Sequence, residues 1–78
     1  MINPTQIIEL AKEIEEGDPI DWSGLPLNRD AVYNMLGLSV MERIEGAQDA
    51  TERELILMAS VVNLTVENFV LEIRLRDK

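Results

Sequence analysis

VVNLTVENFVLEIRL, residues 61–75, carries more apolar surface than a chain of 78 residues readily covers. Set out at about 100° per residue, and extended back to residue 52, it separates into two apolar faces. Leu55, Met58, Ala59, Val62, Val66, Phe69, Val70 and Ile73 form one; Leu57, Val61, Leu64, Leu71 and Leu75 form the other, with Asn68 among them. Narrow polar strips separate the faces. From Phe69 onward the residues also alternate with period two, so an edge strand over 69–75 is the competing reading of the last segment.

The start of this segment is marked by Thr51 and Glu54, which have the spacing of a capping box, with Ala50 and Leu55 placed for a hydrophobic staple. No Pro or Gly follows Gly46, so a helix over about 52–75 is expected, roughly 37 Å long if it continues to 76. Upstream, Asn3 and Pro4 suit an N-cap and first helical position, and Ile7, Ile8, Leu10, Ala11 and Ile14 recur at helical spacing. This predicts a helix over 4–16, closed by Gly17 in a left-handed cap. Glu15 and Glu16 then lie at the wrong end of its dipole, which is locally unfavourable and points to some other demand on them.

Residues 17–28 carry two prolines, two glycines and Ile20, Trp22, Leu25 and Leu27, a composition that suits an ordered loop with Trp22 plugging the helix ends. Asn28 suits a second N-cap, before a helix over 29–45 that stops at Gly46. That helix is apolar nearly all round, which demands cover on every side.

The fold expected over residues 1–78 is therefore a single all-α, three-helix domain with a long C-terminal helix. A chain of 78 residues has a core able to supply only about 3 to 5 kcal/mol of net stability. Leaving Leu57, Val61, Leu64, Leu71 and Leu75 in water would forgo about 1.5–3 kcal/mol each, so a partner is expected to cover them. Isologous pairing into a homodimeric helical bundle, or a higher homo-oligomer, is the simplest closure, with Asn68 either inside the interface setting register or at a frayed edge in contact with water.

The sequence contains no Cys and no His. The usual ligands for zinc, haem and iron–sulfur clusters are thus missing, as are the commonest general base and nucleophile pairs. Glu9, Glu13 and Glu16 share one face of the first helix without an apolar pocket to tune them, Asp18 and Asp21 lack the spacing of a calcium loop, and no Gly-rich phosphate loop occurs. No catalytic, metal or cofactor-binding residue is assigned, and the chain is read as non-enzymatic. The start of the sequence lacks the pattern of a secretory signal, and no uninterrupted apolar run reaches the length of a bilayer span; a cytoplasmic protein without a membrane partner is expected.

Net charge is -8, from fifteen acidic and seven basic residues. This balance opposes binding to a phosphate backbone. The acids concentrate between Glu9 and Asp21, so Glu9, Glu13, Glu16, Asp18 and Asp21, with Trp22 as an anchor, are candidate contacts for a basic protein partner. A plain solvated face is the alternative.

The run LGLSVMERIEG, residues 36–46, resembles the helix-turn-helix family typified by phage repressors through Leu36, Gly37, Leu38, Ser39, Ile44, Glu45 and Gly46. The resemblance implies a turn at Gly37 and Ser39 followed by a DNA-reading helix. The interval from Ser39 to Glu45 is about two residues short for that family, and Arg43 is its one cation. Gly37 has a simpler use as a close-packing point inside the second helix. The function expected is protein–protein interaction, as an adaptor, inhibitor or assembly subunit; the competing class is a small regulatory or ligand-binding protein, including a degenerate DNA-binding one.

Overall fold

A computed structural model describes residues 4–44 and 51–76. It is all-helical, with α1 at Pro4–Gly17, α2 at Arg29–Arg43 and α3 at Glu52–Arg76. The long α3 packs against both of the others. Residues 69–75 are helical throughout, so the period-two pattern there does not produce a strand. Inward-facing residues at helical spacing decide the matter: Val62, Val66 and Val70 are buried in one row while Leu71 and Leu75 are exposed.

The helix starts are set as the sequence predicts. Asn28 Oδ1 accepts a hydrogen bond from the Ala31 amide at 2.9 Å, satisfying one unpaired donor of α2. The capping box of α3 is formed in both directions, Thr51 N–H donating to Glu54 Oε1 and Glu54 N–H to Thr51 Oγ1, each at 3.3 Å. The cap at Asn3, the staple at Ala50 and Gly46 lie outside the described residues; α2 itself ends at Arg43, short of residue 45, with Ile44 extended and its amide bonded to the Met41 carbonyl at 3.2 Å.

The end of α1 differs from expectation. Gly17 has no left-handed conformation; among the described residues the positive φ, 74°, belongs to Gly24 in the following loop. The α1 terminus closes instead with the Asp18 amide bonded to the Glu15 carbonyl at 2.9 Å, a tightened last turn, and Pro19 prevents continuation. Gly24 permits the tight reversal at 22–25, where the Leu25 amide reaches the Trp22 carbonyl at 3.3 Å.

The core draws on all three helices: Ile7, Ile8 and Ala11 from α1, Val32 and Tyr33 from α2, and Met58, Ala59, Val62 and Val66 from α3. Helix α2 passes straight through Gly37, so the turn implied by the helix-turn-helix resemblance is not formed there. Gly37 is a contact point: a Cβ on it would lie 2.6 Å from Ile8 Cγ1 and 2.9 Å from Ile8 Cδ1. Its missing side chain lets α1 and α2 approach. The cover expected around the whole of α2 is incomplete, because Met35 and Leu38 remain about half exposed.

Candidate functional site: the outer face of the third helix

Helix α3 divides as its sequence pattern requires. Met58, Ala59, Val62, Val66 and Val70 are buried, with Leu55 and Phe69 packed beside them. On the opposite side Leu57, Val61, Leu64, Leu71 and Leu75 are exposed to between 47% (Val61) and 68% (Leu75), and Asn68 is exposed in line with them. The structure therefore brings every residue assigned to the interface onto one strip, pointing away from the chain's own core. Consecutive members lie 4, 3, 4, 3 and 4 residues apart, the rhythm of a helix that meets another helix along its length.

Two features border the strip. On one side a groove of about 430 Å³ runs between α2 and α3, lined by Leu36, Ser39, Val40, Arg43, Ile44, Val61 and Thr65. Val61 belongs to both the strip and the groove. On the other side Leu71 adjoins the loop 18–21 across a smaller hollow of about 130 Å³. Arg74 fixes that loop by donating from Nη2 to the carbonyls of Asp21 and Ser23, at 2.7 and 2.8 Å. The hydroxyls along the strip are already occupied within the helix, Ser60 donating to the Ile56 carbonyl at 2.9 Å and Thr65 to the Val61 carbonyl at 2.7 Å.

The acidic segment is split by the fold. Glu9, Glu13, Glu16, Asp18 and Asp21 are exposed; Glu9 pairs with Lys12 at 3.6 Å and Asp21 with Arg74 of α3 at 3.5 Å. Asp21 also accepts from the Ser23 hydroxyl and amide, which together with Arg74 hold its carboxyl below the usual range. Trp22 is half-buried and packs on the core, as the loop composition predicts.

Glu15 is the residue that sequence reasoning leaves unexplained. It is 5% exposed, and its carboxylate gathers donors from the loop that follows α1 and from α2. Tyr33 Oη–H donates to Oε1 at 2.6 Å, Arg29 Nε–H to Oε1 at 3.2 Å, Trp22 Nε1–H to Oε2 at 3.1 Å, and the Ile20 amide to Oε2 at 3.4 Å. The Arg29 guanidinium also lies 5.3 Å from the centre of the Tyr33 ring, and Asn63 of α3 donates to the Tyr33 hydroxyl at 3.2 Å. Burial pushes the Glu15 carboxyl up, but the bonds from Tyr33, Trp22 and Arg29 and the Arg29 charge outweigh it and hold it below the usual carboxylate value. Burial and the neighbouring Glu15 carboxylate push the Tyr33 hydroxyl well above the usual tyrosine value. A carboxylate with four donors, held ionised in this way, anchors the loop and α2 to the end of α1.

Among the described residues no group of three or more acidic side chains is disposed to hold a metal ion, and no buried side-chain nitrogen or oxygen lacks a partner. Taken whole, rather than by its uninterrupted apolar runs, α3 is long and apolar enough to cross a membrane by length and composition. No protein family, curated protein or solved structure matches the chain.

Proposed function

We propose that this chain is a non-catalytic protein that acts through protein association, pairing with a second copy of itself along the outer face of α3. The observation that carries the proposal is the single row of exposed Leu57, Val61, Leu64, Leu71 and Leu75 set opposite the chain's own core. Full burial of such a side chain gains about 1.5–3 kcal/mol. These five are already about half covered, so burying the rest contributes roughly 4–7 kcal/mol per protomer and about 8–15 for a symmetric pair. Association costs about 4–15 kcal/mol in lost freedom. The two ranges overlap, so the pair proposed is a reversible one whose mass should respond to dilution.

Insertion of α3 in a bilayer is less favourable on this geometry. It would strip the buried row Val62, Val66 and Val70 from its packing and break the bond from Asn63 to Tyr33. Self-association needs none of these contacts to change. The exposed acids from Glu9 to Asp21 remain available to a basic protein partner, an interaction expected to weaken as salt rises.

Sedimentation or light scattering over a dilution series tests the reading. A dimer that dissociates on dilution is expected, and Leu64→Glu should yield a helical monomer because Leu64 lies outside the buried core cluster and faces away from it. A well-ordered monomer of the parent chain at all concentrations would refute it. For the acidic segment, loss of a cationic peptide from immobilised protein between low and high salt is expected; no retention at low salt refutes that part.

A further inference from the structure

We infer that the two α3 helices run parallel and in register, with Asn68 meeting the partner's Asn68 across the two-fold axis. This rests on the self-association proposed above and adds its geometry. The 4-3-4-3-4 spacing assigns Leu57, Leu64 and Leu71 to one set of alternating core positions and Val61, Asn68 and Leu75 to the other. Leucine at every position of the first set, with a β-branched residue and an asparagine in the second, is the pattern that favours two parallel strands.

The antiparallel alternative can also use all six layers, but only by matching Leu57 with the partner's Leu75, Val61 with the partner's Leu71 and Leu64 with the partner's Asn68. That arrangement sets each amide against a leucine and leaves both without a hydrogen-bond partner. In the parallel arrangement each layer meets its own kind, and the two amides bond one another. The flanking positions add a second distinction. Parallel pairing brings Glu67 beside the partner's Glu72, twice, whereas antiparallel pairing brings Glu67 beside the partner's Glu67 and places Glu72 beside the partner's Met58. Charge opposes both arrangements at Glu67, so the amide layer decides, and Glu72 becomes the residue whose substitution tells them apart.

The chain has no cysteine, so a single introduced thiol is unambiguous. In a parallel seam, facing positions fall within the Cα separation of about 4.4–6.8 Å that a disulfide spans. Asn68→Cys should then oxidise almost completely to a linked dimer, faster than the exposed Glu42→Cys control, and without loss of helicity. Glu72→Lys should tighten the non-covalent dimer by about 4- to 30-fold at low salt, as two repulsive pairs become attractive, with the gain lost at high salt. A dimer by mass in which Asn68→Cys links no faster than the control, while a mixture of Leu64→Cys and Asn68→Cys chains links readily, overturns the parallel arrangement and leaves self-association standing. A dimer whose affinity ignores Glu72→Lys likewise overturns it. A monomer by mass removes self-association and this inference together.

Discussion

Replacing Glu15 with alanine tests the physical account of the fold most directly. The substitution removes the acceptor of Tyr33 Oη–H, which is fully buried, and of Trp22 Nε1–H, and it leaves Arg29 without its carboxylate. An orphaned buried hydroxyl donor costs about 1–3 kcal/mol and the loss of a hydrogen bond to a charged group about 1.5–3 kcal/mol. The Arg29 side chain is 36% exposed and can turn to water, which keeps the loss near the lower end of the roughly 3–5 kcal/mol seen when a buried ion pair is broken. A net loss of about 3–4 kcal/mol is expected, close to the whole stability of about 3–5 kcal/mol typical at this size. Urea unfolding followed by Trp22 emission and by circular dichroism, at a fixed protein concentration, measures it. Glu15→Ala should be left near its unfolding midpoint without denaturant, and Glu15→Gln, which keeps the shape and one acceptor, should lose less. A Glu15→Ala protein within about 1 kcal/mol of the parent, with unchanged emission, would show that the carboxylate is not the tie between loop and core.

Further outcomes follow from the same contacts. Because the folded Glu15 carboxyl is held below its unfolded value, near 4.3 for a free glutamate, its contribution is complete above that pH and is lost as pH falls through the folded value; Glu15→Gln should flatten the acid limb of a stability–pH curve. Tyr33 has the opposite sign, its folded hydroxyl holding the proton more tightly, so its contribution is complete below about pH 10 and declines above it; Tyr33→Phe should remove that alkaline loss. Gly37→Ala forces a methyl against Ile8, an overpacking cost of about 1–3 kcal/mol set against up to about 1 kcal/mol of better helix propensity, so thermal unfolding should show a net loss near 1 kcal/mol. An unchanged midpoint there would mean that α1 and α2 can separate freely. Arg74→Ala should release the loop at Asp21 and Ser23, seen as faster amide exchange at 20–25, with a stability loss under about 1 kcal/mol because the side chain is partly solvated.

The elements that could be read in advance are those whose signals are local or periodic. Asn28 and the Thr51–Glu54 pair act within three residues of themselves, and the two faces of α3 repeat every turn, so both were visible in the order of residues. The Glu15 cluster was not, since its partners lie 5, 7, 14 and 18 positions along the chain and share no period. Its single trace was a carboxylate at the end of a helix where the dipole disfavours one. Gly17 misled because glycine marks helix ends without specifying how they close; Pro19 stops α1, and the left-handed residue is Gly24, where the loop reverses. On α2 an almost uniformly apolar circumference carries no phase, so the exposure of Met35 and Leu38 depends on where α1 and α3 sit. The outer strip of α3 was legible as a set, and its members lie together.

The indole of Trp22 is the chain's one such ring, and its N–H is held by an ionised carboxylate. A chromophore in that position works as a latch indicator. Its emission should report whether residues 18–28 are seated on the helices, while hydrodynamic size reports on the far side of α3. Folding and assembly can thus be followed in one cuvette by two signals that need no label.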